Sequence, residues 1–535
     1  MRNLSTGVLL SRRRFLLAGG LAGAGLTLAA CASGAGSAPG GSSAPRTLRM
    51  AGGEFGYPTP FTMAHGSGLL PMRLVFDTLM WQDAAGLQPW LAESAEMADD
   101  TTCRVRLRED VTWSDGTKLT GEDVAFTVNY LKQHQIAWSI PITVIDRADA
   151  SGSSIEMRLK EPHAGFLPGV LGAMPVIPKH IWDGVSEPEK KQDEEALVGT
   201  GAYALQAHDL SQGTYRFASR QDYFLGRPYF DRVEFVPAAN PLLALREGAI
   251  DVADIPPNAA PDVIEPFTGG GEFDVIRAVG ATATGLFLNN EKPPFADPRI
   301  RQAVARAIDR AGFVERVLHG RGEPGEPGFL PRANPLHVEA KNSHGHDVAA
   351  ARQALAGTRI TGTLLADTST KTAAEYVARQ LAQVGIDLEV AALDPTRARE
   401  SAAAGAYEAA VLGFGGLHSD PTFLFGFFDS RMSKKGRFTK SHGYHNAEFE
   451  ELQDRQERAT DPGERRRLVG RMQQILADEV PMVVLGYPER AMAFRAATAG
   501  AMWYYTPGGY AAGNPGGVNP AAIITGRSGG TGIAG

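Results

Sequence analysis

Residues 107–126 read Leu-Arg-Glu-Asp-Val-Thr-Trp-Ser-Asp-Gly-Thr-Lys-Leu-Thr-Gly-Glu-Asp-Val-Ala-Phe, a turn-forming sequence that runs directly into a helix-forming one. Asp115 and Gly116 form a residue pair that predicts a tight turn. Thr120 predicts the N-cap of a helix, and Asp123 at the third helical position completes a capping box. The apolar residues of one face of this helix follow at helical spacing: Val124, Val128 and Leu131. The stretch therefore predicts a turn followed by an amphipathic helix.

Two further segments predict helices that start at an Asp-Pro pair. Asp297-Pro298 places an N-cap residue before a proline at the first helical position. We expect this helix to end just before Gly320 and to bury three apolar residues: Ile300, Val304 and Ile308. Residues 461–478 repeat the pattern and predict an arginine-rich helix.

Residues 360–394 predict a β-α-β unit. Segments 360–366 and 386–390 are apolar enough to be strands, and segment 372–384 has helical periodicity and ends at Gly385. Such a unit belongs to a parallel or mixed sheet with helices on its faces. The length of 535 residues also exceeds the ~250–300 residues at which a single core stops growing. We therefore predict an α/β protein with at least two lobes.

Charge and cysteine content exclude several classes of protein. The chain carries 53 Lys and Arg against 60 Asp and Glu, which is a formal net charge of −7. This mild acidity argues against a nucleic-acid partner, because phosphate binding needs clustered positive charge. Two cysteines cannot supply a disulfide framework or a cysteine-rich zinc site. The fold is expected to stand without either.

The chain lacks the common catalytic motifs, namely the phosphate loop Gly-x-x-x-x-Gly-Lys, the zinc motif His-Glu-x-x-His and the elbow Gly-x-Ser-x-Gly. Residues 199–204, Gly-Thr-Gly-Ala-Tyr-Ala, loosely match the dinucleotide pattern. That fingerprint needs a helix directly after it, whose N-terminus faces the pyrophosphate. The sequence from Tyr203 onward is strand-like, so we predict no nucleotide site here.

Histidine pairs and one cysteine are the remaining candidates for metal or catalytic chemistry. His344 and His346 lie two residues apart, and His442 and His445 lie three apart, in polar, turn-rich surroundings. Two imidazoles without a carboxylate or thiolate are a weak metal site, so we interpret both pairs as solvated loop residues. Cys103 lies among strand-forming residues without a base in view. We therefore predict no metal, no cofactor and no catalytic residue, and we do not expect an enzyme.

The N-terminal segment predicts an export signal. Residues 1–30 contain four arginines, no acidic residue and a short apolar stretch. Segment 11–17, Ser-Arg-Arg-Arg-Phe-Leu-Leu, resembles the twin-arginine export consensus. Segment 28–31, Leu-Ala-Ala-Cys, resembles a bacterial lipobox, which makes Cys31 the predicted lipidation site before a flexible tether. The exported chain is expected to be lipid-anchored to the outer face of the cytoplasmic membrane, in the periplasmic space or at the cell surface.

Taken in order, several segments resemble family 5 of the extracellular solute-binding proteins, which serve peptide- and nickel-type ABC importers. Besides residues 107–126, the segments that carry the resemblance are Val75-Phe-Asp-Thr-Leu-Met-Trp81, Leu87-Gln-Pro-Trp-Leu-Ala-Glu93, Gly199-Thr-Gly-Ala-Tyr203, Asp222-Tyr223 with Gly226-Arg-Pro228, Gly248-Ala-Ile-Asp-Val-Ala253, Leu288-Asn-Asn290 with Pro294-Phe295, and Arg301-Gln-Ala-Val-Ala-Arg-Ala-Ile-Asp-Arg310. The resemblance extends over about residues 47–500 and rests on the order and spacing of these segments. The third segment is similar to Gly-Thr-Gly-Pro-Tyr in the family, which explains the false dinucleotide match.

The resemblance implies an α/β fold of the type II periplasmic-binding-protein kind, with two hinged lobes and a subdomain inserted in the first lobe. The chain should cross between the lobes near residues 280 and 485. The implied division is a signal peptide at 1–30, a tether at 31–46, lobe I at 47–66, 184–280 and 486–525, the inserted subdomain at 67–183, and lobe II at 281–485.

The resemblance also places a ligand between the lobes, held by aromatic walls and a few polar groups. The residues predicted to contact it are His65, Ser67, Trp138, Phe414, Gly415, Gly416, Leu417, His418, Asp420, Tyr487 and Tyr505. Peptide-binding relatives hold the peptide ammonium group with an aspartate where a gapless reading puts Leu417. A leucine cannot neutralise a buried ammonium, which argues against a free peptide N-terminus as the anchor. Asp420 could take over this role through a loop shift, or it could merely cap segment 423–428.

The function implied by the resemblance is that of a monomeric substrate-binding component of an ABC importer. It would capture peptides or similarly sized solutes and deliver them to the permease, which is coupled to ATPase subunits. The first alternative is a binder of an oligosaccharide, opine or metal chelate on the same scaffold. A secreted hydrolase, and a signalling or chaperone-like role, are the others.

Overall fold

The computed structural model describes residues 46–499, except for 65–67, 84–85, 135, 137–139, 279–281, 342–343, 416, 418–419, 421 and 434–442. The predicted signal peptide, Cys31 and nearly all of the tether therefore lie outside the described residues, as do residues 500–535.

The strands are numbered in chain order. They are β1 (Thr47–Ala51), β2 (Met80–Asp83), β3 (Gly86–Pro89), β4 (Ala92–Asp99), β5 (Thr102–Leu107), β6 (Ile145–Ser151), β7 (Ser154–Leu159), β8 (Tyr203–Asp209), β9 (Thr214–Ser219), β10 (Arg232–Val236), β11 (Val252–Ile255), β12 (Phe273–Ala278), β13 (Thr282–Leu288), β14 (Gly322–Pro324), β15 (Ile360–Asp367), β16 (Ile386–Leu393), β17 (Ala409–Gly415), β18 (Met482–Pro488) and β19 (Arg490–Arg495).

The helices follow the same order. They are α1 (Leu69–Val75), α2 (Gly121–Gln133), α3 (Lys179–Trp182), α4 (Pro241–Glu247), α5 (Pro261–Thr268), α6 (Pro298–Ala307), α7 (Arg310–Val317), α8 (Val348–Leu355), α9 (Lys371–Ala382), α10 (Pro395–Ala403), α11 (Thr422–Phe425), α12 (Ser430–Ser433), α13 (Ala447–Arg458), α14 (Pro462–Glu479) and α15 (Ala496–Ala499). None of these described helices is both long enough and apolar enough to span a bilayer.

The described residues form four sheets, of which the smallest is the two-stranded pair β2-β3. A seven-stranded sheet has the order β12-β19-β11-β1-β10-β9-β8, and we call the structure around it lobe I. A six-stranded sheet has the order β14-β18-β13-β17-β15-β16, and we call the structure around it lobe II. A four-stranded antiparallel sheet, β4-β5-β7-β6, forms the inserted subdomain together with α2, which packs against β6. The chain thus enters lobe II after β12 and returns to lobe I for β19.

The lobes are held by separate apolar cores. One core joins lobe I to the inserted subdomain, since it contains Leu48 and Phe217 of the large sheet together with Trp90 and Val105. In lobe II, β13 is buried on both faces: Leu286 belongs to one apolar core, and Phe287, on the opposite face of the strand, belongs to the other. A strand buried on both faces reads as a continuous apolar run, as β13 does.

Segments that carried the sequence resemblance meet at the carboxylate of Asp77, which is buried. It accepts hydrogen bonds from Trp90 Nε1 at 2.7 Å, Thr200 Oγ1 at 2.9 Å and the Tyr223 hydroxyl at 3.2 Å. Burial raises the pKa of Asp77 to about 6, and these hydrogen bonds oppose that rise. Four segments of the chain that are far apart in sequence are therefore joined at one buried acceptor.

The Gly-Thr-Gly segment owes its glycines to backbone packing. Gly201 N donates to Val75 O at 2.8 Å, and a Cβ on Gly201 would lie 2.4 Å from Leu74 O. A Cβ on Gly199 would lie 2.0 Å from Val75 O. Strand β8, rather than a helix, follows these glycines, which confirms that the segment is not a dinucleotide-binding turn.

The locally encoded elements are confirmed. Thr120 N donates to Asp123 Oδ2 at 2.9 Å at the start of α2. β15, α9 and β16 form the predicted β-α-β unit, whose two strands pair in parallel. The long helix at the Asp461-Pro462 pair is α14, and Asp461 Oδ1 accepts from Glu464 N at 2.6 Å.

One helix prediction was wrong. The helix expected to run from residue 298 to just before Gly320 is two helices, α6 and α7. Ile308 is extended, and Asp309 starts the second helix because its side chain accepts a hydrogen bond from Gly312 N at 2.8 Å. The polar Asp309 within an apolar pattern is thus a second N-cap, and Ile300 is only half-buried.

Candidate functional site

The carboxyl ends of the central strands of lobe I share one edge of the sheet. β1 pairs in parallel with β10 and β11, and β12 also runs in this direction because both β12 and β11 are antiparallel to β19. The chain leaves lobe I after β12, so this edge is the one that continues into lobe II. Ligands bind at the carboxyl ends of strands in open α/β sheets.

The facing edge of lobe II contains the described part of the predicted ligand segment, namely residues 413–415, Leu417 and Asp420. β13 begins at this edge, and β17 is antiparallel to β13, with Thr282 opposite Gly415. β15 pairs in parallel with both β16 and β17, so the carboxyl ends of all three strands lie here. The predicted ligand segment therefore lies at the edge of lobe II that faces lobe I.

Phe414 is part of an aromatic cluster behind this edge. Its ring stacks on Phe329 with centroids 5.6 Å apart and planes 5° apart, and it meets Phe287 and Phe427 edge-on. Phe329 has a φ of +81°, in the left-handed region that bulky residues rarely adopt. Phe414 is only 6% exposed, so it supports the edge from within the core, and Gly415 beside it is half-buried.

Leu417 is fully buried, and its carbonyl accepts a hydrogen bond from Asn334 Nδ2 at 2.7 Å. Its side chain belongs to the same apolar core of lobe II as Phe414. The structure thus places an apolar, inward-facing residue where peptide-binding relatives are expected to carry an aspartate.

Asp420 is bound to lobe II by an ion pair. Its two carboxylate oxygens each lie 2.6 Å from a guanidinium nitrogen of Arg465, and Oδ1 also accepts from Thr422 N at 3.0 Å. Burial opposes ionisation, but Arg465 outweighs it and lowers the pKa of Asp420 below its ordinary value. The contact with Thr422, the first residue of α11, lies just before that helix, and the two alternatives for Asp420 remain predictions.

Tyr487 is fully buried in lobe II. Its hydroxyl donates to Phe329 O at 3.0 Å and accepts from Glu326 N at 3.2 Å. The hydroxyl is therefore satisfied within lobe II both as a hydrogen-bond donor and as an acceptor. Burial raises the pKa of Tyr487 well above its ordinary value. Tyr487 therefore holds the strained backbone of Phe329 in place beneath the edge.

The other predicted contact residues lie outside the described residues. They are His65, Ser67, Trp138, Gly416, His418 and Tyr505. The described residues thus bring together Phe414, Gly415, Leu417 and Asp420, with Tyr487 beneath them.

Sequence reasoning missed Phe55 on the side of lobe I. Phe55 follows the carboxyl end of β1, is half-buried and stacks on Tyr215 with centroids 5.6 Å apart. The turn before it is tight, since Phe55 N donates to Gly53 O at 2.9 Å. An aromatic residue directly after a strand and a glycine pair is the signal that would have identified it.

Two hollows in the described part of the chain are not lined by any predicted contact residue. One of about 350 Å³ lies at the far edge of the lobe II sheet, lined by Asn289, Lys292, Pro293, Phe295, Thr363, Gly405, Ala406, Tyr407 and Glu408. The other, of about 380 Å³, lies on the inserted subdomain around Lys118 and His180. Both are surface depressions with mixed polar and apolar walls.

The described residues contain no group of three or more metal-ligating side chains. His344 Nε2 contacts Asp478 O at 3.2 Å, and His445 Nδ1 contacts Glu450 at 3.0 Å, while His442 lies outside the described residues. Cys103 is buried in β5, and burial raises the pKa of its thiol to about 12. It is therefore an unreactive strand cysteine, as predicted.

The two lobes touch near the chain crossing through Arg321 of lobe II. Its Nη2 donates to the carbonyl oxygens of Pro256, Pro257 and Ala259 of lobe I at 2.9, 2.7 and 3.1 Å. Glu489, between β18 and β19, donates its N–H to Arg321 O at 2.9 Å. This contact closes one side of the space between the facing edges.

A family model described as bacterial extracellular solute-binding proteins, family 5, matches residues 86–435. Among characterised relatives, the oligopeptide-binding protein AppA of Bacillus subtilis is 28% identical over 257 residues, which is 44% of each chain. The probable di/tripeptide-binding protein 5 of Pseudomonas aeruginosa is 26% identical over 65% of this chain and 72% of that protein. The chain spans about half the length of most curated relatives it matches.

Solved structures share the fold over most of the chain. The ABC transporter substrate-binding protein CtaP of Listeria monocytogenes has a TM-score of 0.72 at 21% identity, covering 84% of this chain and 93% of that one. AppA of Bacillus subtilis in complex with a nonapeptide has a TM-score of 0.68 at 20% identity, with 84% and 95% covered. NikZ of Campylobacter jejuni in complex with Ni(L-His) has a TM-score of 0.68 at 19% identity, with 84% and 94% covered. These likenesses show the two-lobed fold of type II periplasmic binding proteins.

Proposed function

Because the chain belongs to the bacterial extracellular solute-binding proteins of family 5, we propose that it is the substrate-binding component of an ABC importer. It captures a peptide or a similarly sized solute between lobes I and II and delivers it to a membrane permease. The observation that carries this proposal is the placement of the carboxyl strand ends of both lobes at facing edges. The names of the relatives support peptides as the first ligand class.

Binding in such a site comes from closure of two preformed surfaces. Phe55 supplies a half-buried aromatic wall on lobe I, and Gly415 offers backbone groups at the opposite edge. Hydrogen bonds to the main chain of a peptide leave its side chains free, which gives tolerance of sequence. Binding is the activity proposed, and no catalytic step is assigned to these residues.

The test is the identity and effect of a bound solute. Protein purified from its own host should release a solute on denaturation, seen by native mass spectrometry before and after unfolding. Short peptides of two to nine residues should raise the midpoint of thermal unfolding. Absence of both a co-purified solute and any shift across peptide and metabolite libraries would contradict the proposal.

A variant pair locates the site. Phe55→Ala should reduce the peptide-induced shift, because it removes the aromatic wall of lobe I. Tyr229→Ala is the matched control, since Tyr229 is also a half-buried aromatic residue and packs against Arg46, at the opposite end of β1. Equal shifts for the two variants would place the ligand elsewhere.

A non-peptide solute on the same scaffold is the second candidate, and Asp420 and Leu417 favour it. Both oxygens of Asp420 are engaged by Arg465, and Leu417 is apolar and buried, so neither position offers a carboxylate to an ammonium group. Solved relatives include one with Ni(L-His) and AgaA with agropinic acid. Competition between peptides blocked and unblocked at the N-terminus separates the cases: equal affinity of both forms favours a site without an ammonium anchor.

We further infer that the chain is exported and lipid-anchored through Cys31. The family consists of extracellular proteins, which supports export. The arginine-rich segment 11–17 and the small residues before Cys31 support a twin-arginine signal and a lipid anchor. A monomer coupled only to its permease and ATPase subunits completes the proposal.

A further inference from the structure

The lobes touch at a second place, separate from Arg321 and the chain crossing. Residues 161–165, which follow β7 of the inserted subdomain, lie against the C-terminal end of α13 in lobe II. Ala164 N donates to Glu457 O at 2.7 Å, and Arg458 Nε lies 2.5 Å from Glu161 Oε2. One backbone hydrogen bond and one ion pair therefore join the inserted subdomain directly to lobe II.

Gly165 completes this contact by fitting against Asp420. A Cβ on Gly165 would lie 3.3 Å from Asp420 Cγ, so the two segments meet closely and a larger side chain would push Asp420 aside. Asp420 is in turn fixed by Arg465, which also donates to Gln456 Oε1 at 3.0 Å. The surface of lobe II that receives Gly165 is thus held by an ion pair and by hydrogen bonds.

We propose that residues 161–165 and this face of lobe II form a latch that holds the two lobes together beside the candidate ligand segment. We define the latch as Glu161, Ala164 and Gly165 on one side and Asp420, Glu457 and Arg458 on the other. It connects the elements that must separate when the space between the facing edges opens. Asp420 then acts as a latch residue, which accounts for its pairing with Arg465.

The latch sets how often the lobes are closed. A ligand that binds only the closed state has an apparent affinity equal to its intrinsic affinity multiplied by the fraction of molecules that are closed. A half-exposed ion pair and one hydrogen bond are each small contributions, so their loss should reduce the closed-to-open ratio about three- to tenfold. Both partners of the ion pair are about half exposed, at 48% and 52%, so added salt should also weaken the latch.

Single-molecule energy transfer between the lobes tests the latch and needs no knowledge of the ligand. Dyes are attached to cysteines introduced by Asp149→Cys in the inserted subdomain and Ala403→Cys in lobe II, in the full exported chain with Cys31→Ser. Asp149 is 64% exposed and Ala403 is exposed, whereas Cys103 is fully buried and is not labelled. The closed fraction is then read from the distance distribution.

Arg458→Ala and Glu161→Ala should each lower the closed fraction, and the charge exchange Glu161→Arg with Arg458→Glu should restore it. Gly165→Phe should lower it further, because its ring would wedge against Asp420. The matched controls are Arg455→Ala, which loses only a pair within α13, and Gly169→Phe, where a Cβ meets nothing within 4 Å.

Latch and control variants with the same distance distribution would overturn the proposal. So would a charge exchange that fails to restore closure while thermal unfolding shows the variant to be folded. Because the measurement reports lobe distance alone, its failure would leave the proposed transport function intact, and loss of ligand binding would leave the latch intact.

Discussion

Glu457 shows how one buried acid makes the stability of this protein depend on pH. Its side chain accepts from Gln453 Nε2 at 2.8 Å, and it lies near three other carboxylates: Asp420, Asp429 and Asp454. Burial, reinforced by the repulsion of these carboxylates, raises the pKa of Glu457 to about 7. In the unfolded chain the same group titrates near pH ~4.3. The folded protein therefore binds an extra proton between these two values.

We expect Glu457→Gln to stabilise the protein at pH 8 and to change little at pH 4.5. Protonated Glu457 costs the folded protein nothing below the pKa that this group has in the unfolded chain. The stability that comes from the raised pKa is then lost as the pH rises through about 7, the pKa in the folded protein. Glutamine keeps the acceptor for Gln453 and cannot ionise, so the gain at pH 8 should be about 1–3 kcal/mol. Thermal or urea unfolding at both pH values measures it.

Glu451→Gln is the control for this prediction, because Glu451 lies on the same helix and is 72% exposed. Its effect should not depend on pH. An identical pH profile for both variants would show that Glu457 is solvated in the folded protein.

Asp77 is the residue whose loss should be most damaging. Asp77→Ala leaves the Trp90, Thr200 and Tyr223 donors buried without their acceptor. We expect a loss of about 3–5 kcal/mol in the free energy of unfolding, seen as a lower urea midpoint at unchanged slope. Asp100→Ala, an exposed turn residue of the same subdomain, should have no effect. Equal midpoints for the two variants would contradict the role given to Asp77.

At the scale of elements, close backbone approach decides how β8 joins the rest of lobe I. Gly201→Ala would place a Cβ 2.4 Å from Leu74 O, and backbone cannot rotate away as a side chain can. We expect a loss of about 2–4 kcal/mol and a low yield of folded protein. Gly269→Ala is the control, because a Cβ there meets nothing within 4 Å and the residue has an ordinary backbone conformation. Wild-type stability of Gly201→Ala would show that the two backbones can separate without cost.

Local signals explain which elements were predicted correctly. α2 and α14 each carry their own cap and periodicity within the helix itself, and the unit β15-α9-β16 carries its signals within residues 360–393. The break between α6 and α7 was missed because Asp309 falls within a continuing apolar pattern. Only the structure shows its side chain turned back onto Gly312 N.

At the scale of the whole molecule, the proposed lipid anchor at Cys31 would hold the binding lobes at the membrane surface. We expect Cys31→Ser to release the exported protein from the membrane fraction, because a thioether-linked lipid can no longer form. Fractionation of cells and mass spectrometry of the mature N-terminus measure this. Replacing Arg12 and Arg13 by Lys should instead block export by the twin-arginine route. Continued membrane attachment of Cys31→Ser would contradict the lipid anchor.

The candidate site was predicted only in part, since its segment was found but its contacts were not. Segment 413–420 was identified from sequence, and the structure places its described part at the facing edge of lobe II. The partner of Asp420, Arg465, lies 45 residues away on α14. The contact of Gly165 with Asp420 joins two lobes. No local pattern encodes such pairs, because they depend on how whole lobes pack.

The sequence by itself determined the α/β class, the family and the predicted export signal. Each of these is carried by short-range chemistry or by the order of motifs along the chain. Tertiary structure alone decided that Asp77 gathers four segments, that Tyr487 and Leu417 are buried, and that Asp420 pairs with Arg465. The physical reason is that burial and charge pairing depend on which side chains lie close together in three dimensions, and not on their order in the chain. Residues far apart in the chain acquire them only when the sheets and lobes have assembled.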